Sequence, residues 1–135
     1  MTETSPGPAA RPLSPHLQVW RWHVTMLCSI LHRATGVALY AGALILAGWV
    51  LALASGPAAY EHYRVLLGSP LGKLVLFGLT VSVFYHLAAG IRHLVWDVGL
   101  GFNPKLADQT GAAAIAFGVV AAIVVWILAA LMGAL

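Results

Sequence analysis

Between Thr80 and Asp97 the chain reads TVSVFYHLAAGIRHLVWD, an apolar run that closes in ionisable side chains. Charge and imidazole are costly in hydrocarbon, so a membrane helix that carries them usually uses them. At about 100° per residue, His86, Gly90, His93 and Asp97 share one stripe, separated by steps of four, three and four. Gly90 has no side chain and leaves a hollow between the two histidines. A flat, bulky group can enter that hollow with His86 as its ligand. A buried neutral imidazole needs partners for both nitrogens, because an unsatisfied polar group in hydrocarbon costs several kcal/mol. Iron is one such partner, since imidazole is a common axial ligand of haem. A hydrogen bond to a neighbouring helix and proton transfer are the other roles open to His86.

A second polar set lies upstream, in Ser29-Ile30-Leu31-His32-Arg33-Ala34-Thr35-Gly36. Ser29, Arg33, Gly36 and Tyr40 fall on one helical stripe. A guanidinium binds a carboxylate bidentately, so Arg33, with His32 beside it, suits the propionates of a haem at the polar edge of a membrane. Snorkelling to the headgroups is its alternative. Ser29 sets a hydroxyl one turn from that cation, a pair able to hold a carbonyl or quinone oxygen, although a serine at a helix start also serves as an N-cap. Asp97 stands where it can pass a proton at the mouth of such a site, or simply be solvated. Arg92 points away from the histidine stripe, and holding the topology is its expected task.

These residues need helices to hold them. Of 135 residues, 61% are hydrophobic and 8% charged, against about 25% charged in a soluble domain. The sequence is that of an all-α membrane protein with three transmembrane helices and a short N-terminal interfacial segment. Residues 1–10, polar and rich in turn-formers, are expected to form a disordered tail, with no secretory signal. Residues 11–28 form an approach segment. Its prolines forbid helix at the start, a helical pattern from His16 places Leu17, Trp20 and Val24 together, and Trp20 and Trp22 suit the headgroup interface. The membrane domain, 29–135, contains spans at about 29–53, 71–96 and 112–135. Loops are expected at 55–70 and 97–111, marked by Gly56-Pro57, Ser69-Pro70 and Asn103-Pro104. The third span has no ionisable side chain, and Ala114, Gly118, Ala121 and Ala122 allow close helix contact.

Arg11, Arg21, Arg33, Arg92 and Lys105 mark one membrane side, Arg64 and Lys73 the other. The positive-inside rule therefore sets the N-terminus in the cytoplasm, or the matrix. Antiparallel first and second spans then bring Ser29, His32, Arg33, His86 and His93 to the same face. His86 lies about 15 Å inside Trp96 along the axis, beneath a cationic rim. Several classes are excluded. There is no Gly-rich phosphate loop, no cysteine cluster and no carboxylate pair at catalytic spacing. The net charge of +3 is too small to signal nucleic acid. Cys28 is the single cysteine, so no intrachain disulfide forms, and any haem is held noncovalently.

Three segments in order, Arg11-Pro12-Leu13-Ser14-Pro15-His16-Leu17, Ser29 to Gly36 and His86 to Asp97, resemble the cytochrome b membrane-anchor subunits of succinate dehydrogenase, respiratory complex II. The resemblance covers the chain from about Arg11 to its end. It implies a complex in which this chain pairs with a second small membrane-anchor subunit, and both hold an iron–sulfur subunit and a flavoprotein subunit on the cytoplasmic or matrix side. It implies haem b between the anchors, with His86 as one axial iron ligand and the other supplied by the partner. Ser29 and Arg33 match positions that line the quinone site, His32 and Arg33 match positions near the propionates, and His93 falls at the same edge. Asp97 matches a position associated with proton access. The implied function is electron transfer from succinate oxidation to ubiquinone, without dehydrogenase activity in this chain alone. The implied location is the bacterial cytoplasmic membrane or the mitochondrial inner membrane. A haem-free anchor and a small proton or solute channel are the rival readings.

Overall fold

Proline supplies no amide hydrogen and fixes φ near its helical value, so it suits the first position of a helix. Three helices of this protein begin that way. The computed structural model describes residues 20–133 and contains α1 (Val24–Ala54), α2 (Pro57–Gly68), α3 (Pro70–Asp97) and α4 (Pro104–Leu131). The described residues form no strand. Helices α1, α3 and α4 are 31, 28 and 28 residues long. At 1.5 Å per residue each exceeds the roughly 30 Å of a bilayer core, and each is apolar enough to cross it. Large apolar side chains such as Val37, Leu44, Leu87 and Val120 stand on the outside, where hydrocarbon solvates them.

The expected elements differ from these in three places. The first helix begins at Val24, five residues before the expected span, and Trp20 to His23 ahead of it are not helical. The expected tail and residues 11–19 of the approach segment lie outside the described residues, as do residues 134 and 135 of the third span. The expected loop at 55–70 is mostly helix α2. Gly56-Pro57 and Ser69-Pro70 each place a helix start at the proline. Ser69 serves two helices at once. Its Oγ donates to Leu66 O of α2 at 2.7 Å and accepts from Gly72 N of α3 at 3.1 Å. Finally, α4 starts at Pro104, with the Asn103 side chain accepting from Lys105 N and Leu106 N. The loop expected over 97–111 therefore shrinks to a turn at residues 98–103. Gly99 and Gly101 take φ of 82° and 80° there, values that L side chains rarely adopt.

Packing centres on α3, which lies against both α1 and α4, while α2 folds back on α1 and α3. Small residues make the α3–α4 seam close. Ala89 and Ala122 are 1% and 0% exposed, and Ala114 is buried between the same helices. A Cβ on Gly118 would stand 2.7 Å from Tyr85 Cβ and 3.0 Å from its Cα. Polar groups join the helices where backbone alone would not. The Tyr85 hydroxyl donates to Cys28 O of α1 at 2.8 Å, and the Tyr63 hydroxyl of α2 donates to Ile45 O at 2.6 Å. His23 offers α1 no side-chain cap. Asp108 of α4 does so instead, its Oδ1 accepting from Thr25 N at 3.3 Å.

Candidate functional site

The start of α1 and the end of α3 run antiparallel, and their three histidines meet. The ring of His32 lies 4.1 Å from that of His86 and 4.8 Å from that of His93, centroid to centroid. Gly36 makes this possible on the α1 side. A Cβ there would come within 3.3 Å of His86 Cε1, so any larger side chain would displace the ring. A Cβ on Gly90 would meet nothing within 4 Å, which leaves open space beside the α3 histidine stripe.

Hydrogen bonds fix how these rings face. His93 Nδ1 lies 2.7 Å from Ala89 O. A carbonyl can only accept, so Nδ1 carries a proton, and Nε2 is the nitrogen left to meet another group. His86 Nδ1 lies 3.1 Å from Thr35 Oγ1, and its Nε2 has no partner among the described residues. His32 Nε2 is buried and also has none. Such an orphan costs about 1–3 kcal/mol, and no described residue relieves it.

Ser29 and Arg33 lie on the outward side of α1. Arg33 Nε donates to Ser29 O at 3.2 Å and its Nη2 to Ser29 Oγ at 3.4 Å. Both residues are exposed, and no carboxylate lies within ion-pair distance of Arg33 among the described residues. They adjoin each other, as their spacing requires, but do not bond to the histidines. Asp97 is the last residue of α3, exposed and without a hydrogen bond to the described residues.

Arg92 points away from the histidines, as expected, and has partners that its spacing does not indicate. It is 9% exposed and turned into the α3–α4 seam. Its Nη2 donates to Ala107 O at 2.7 Å, its Nε to Thr110 Oγ1 at 3.1 Å, and its guanidinium lies 4.0 Å from the Trp96 ring centroid. Thr35 and Gly36 were the residues that spacing left without a role toward His86. The available signal was their position three and four residues after His32, on the same face of α1.

The donor set suits haem better than a bare metal ion. Among the described residues no three His, Cys, Asp or Glu side chains converge as a metal cage, so an iron ligated by His86 would have to bring its own equatorial ligands. One imidazole with a free Nε2, a second with an orphaned nitrogen, open space at Gly90 and an unpaired guanidinium fit such a group and its carboxylates.

Known proteins resemble most of this chain. Residues 8–125 match the model of the succinate dehydrogenase/fumarate reductase transmembrane subunit family. The chain is 41% identical to the succinate dehydrogenase cytochrome b556 subunit of Paracoccus denitrificans over 113 residues, 84% of this chain and 87% of the relative. It is 36% identical over 118 residues to the subunit of the same name from Rickettsia felis, covering 87% and 91% of the two. The mitochondrial cytochrome b560 subunit from Sus scrofa is 40% identical over 106 residues, 75% of this chain and 61% of the longer relative. With three apolar helices in the expected order and a match over most of its length, this chain belongs to the succinate dehydrogenase cytochrome b subunits, the transmembrane anchors of complex II.

Proposed function

We propose that this chain holds haem b together with a second small anchor subunit and forms part of the site where electrons from succinate reach ubiquinone. The observation that carries the reading is the His86 imidazole. Its Nδ1 is occupied by Thr35, its Nε2 is free, and it stands beside the buried, unpartnered Nε2 of His32. His86 would hold the haem iron from this chain, and the second anchor subunit would contribute the other protein ligand. Haem b bound there supplies a one-electron store whose potential depends on axial ligands and burial. His32, Arg33 and His93 would hold the propionates, since imidazole N–H and guanidinium groups bind carboxylates.

Ser29 and Arg33 form the quinone contact. Arg33 donates to Ser29 Oγ and O, which holds the guanidinium along α1 with donors to spare. The Ser29 hydroxyl, already an acceptor, has its own proton to offer a quinone oxygen. Both groups are exposed at the start of a span, so the ring would reach them from lipid and protons from water. Quinone reduction consumes two electrons and two protons, and Asp97, exposed at the end of α3, offers a carboxylate for proton delivery. The iron–sulfur and flavoprotein subunits dock on this same side. That side is the cytoplasm for a bacterial cytoplasmic membrane, or the matrix for the mitochondrial inner membrane, and it carries the N-terminus.

The test uses the assembled complex in membranes. His86→Ala should abolish or displace the reduced b-type band in a dithionite difference spectrum. Arg33→Ala should lower succinate:quinone reductase activity by at least tenfold while succinate oxidation by an artificial acceptor persists. An unchanged band in the first variant, or parallel loss of both activities in the second, would overturn the corresponding assignment.

A further inference from the structure

We infer that Thr35 is a positioning residue for the haem, acting through the His86 tautomer. The inference rests on the proposal that His86 ligates iron. Thr35 Oγ1 has three polar neighbours: Leu31 O at 2.8 Å, His32 O at 3.1 Å and His86 Nδ1 at 3.1 Å. A hydroxyl has one proton, and carbonyls only accept. If that proton went to the imidazole, two oxygens 2.8 Å apart would face each other with no hydrogen between them. The proton therefore goes to Leu31 O, and Oγ1 accepts from His86 Nδ1–H. The imidazole lone pair is then fixed on Nε2, the nitrogen with no partner among the described residues.

Two neighbours make the arrangement specific. Gly36, the next residue, lets the His86 ring lie against α1, with only 3.3 Å between an ideal Cβ and Cε1. The backbone bonds of Thr35 to its own helix hold Oγ1 in one rotamer, so α1 presents a lone pair at a set point. An acceptor on the far nitrogen makes a metal-bound imidazole more basic, fixes its orientation and is worth 10- to 100-fold in metal affinity. A more electron-rich ligand favours the ferric over the ferrous state. Thr35 thus holds haem more tightly and lowers its reduction potential.

The experiment compares Thr35→Val, which keeps shape and loses the hydroxyl, with Thr35→Ser, which keeps the hydroxyl. Both are made in the full complex in native membranes. Haem retention is read as the rate of transfer to apomyoglobin, and the midpoint potential by redox titration of the b-type band. Thr35→Val should release haem about 10- to 100-fold faster with a raised midpoint, and Thr35→Ser should return both toward the original. If Thr35→Val does not assemble, Thr35→Ala lacks the same hydroxyl and is judged by the same two readouts. Retention and potential unchanged in the hydroxyl-free variant, or equal loss in the valine and serine variants, would overturn the role of the hydroxyl. His86→Ala separates the two layers. If it keeps an unaltered band, the ligand assignment itself fails; if it loses the band while Thr35→Val is silent, only the role of Thr35 fails.

Discussion

Helix α3 has two polar seams, and they are finished differently. Toward α4, the buried polar side chains among the described residues meet partners inside the chain. Arg92 reaches Ala107 O and Thr110 Oγ1 and stacks on Trp96, while Tyr85 crosses to Cys28 O of α1. Between them the backbones touch through Ala89, Ala114 and Gly118. Toward the start of α1, three imidazoles crowd together with one nitrogen buried and unpartnered, and Arg33 has no carboxylate among the described residues. A cation or imidazole in a span is therefore not by itself a sign of a ligand. The informative feature is a polar group the chain does not satisfy. By that measure Arg92 is architecture, and on the proposed reading His32, Arg33 and His86 are left for a group from outside the chain.

The sharpest way to break this comparison is to force the closed seam open. In Gly118→Leu the new Cβ would meet Tyr85 Cβ at 2.7 Å and, less yieldingly, its backbone Cα and N at 3.0 and 3.1 Å. Overpacking a well-filled site costs about 1–3 kcal/mol even where side chains can adjust, and backbone cannot. The expected outcome is near-complete loss of the subunit from membranes by immunoblot, with Gly118→Ala intermediate. Normal accumulation of Gly118→Leu would mean the seam is looser than these distances imply.

Arg92→Leu probes the same seam more gently. It removes two hydrogen bonds from a charged donor and a cation–π contact, a loss partly offset because a charge no longer has to be buried. The complex should accumulate and melt a few degrees lower at a fixed scan rate, with its b-type spectrum intact. A displaced band in this variant would show that the two seams are coupled, and Arg92 would join the site.

The sequence carried the histidine and Ser29–Arg33 stripes because helical spacing alone sets which residues share a face. It carried the three spans because their apolar runs exceed bilayer thickness. Other features depend on chemistry between distant segments. The start of α1 was misplaced because its capping acceptor, Asp108, lies 83 residues away. Helix α2 is hidden in the sequence because Gly56-Pro57 and Ser69-Pro70 read as chain breakers. The same pairs place a proline at the first helical position, where it initiates helix. Arg92 reads from its charge only as a topology determinant, since acceptors on Thr110 and a backbone carbonyl leave no mark in composition. Thr35 is inconspicuous for a similar reason. A threonine in an apolar helix ordinarily bonds its own backbone, and only the approach of His86 gives its remaining lone pair a use.

The smallest effect is expected far from both seams, on α2. Arg64 donates to both carboxylate oxygens of Glu61, at 2.8 and 2.6 Å. That hydrogen bonding, reinforced by the guanidinium charge, holds the Glu61 carboxyl below its ordinary pKa. A carboxyl whose pKa is depressed on folding adds stability above its unfolded value, and loses it as pH falls through the lowered one. Both side chains are exposed, so the gain is slight and salt-sensitive. Glu61→Gln should therefore melt marginally below the parent at neutral pH and low salt. The gap should close either on adding salt or on acidifying below the carboxylate range, and the haem spectrum should not move. A gap that persisted in acid would assign it to packing of α2 on α1, where Tyr63 meets Ile45 O, rather than to the ion pair.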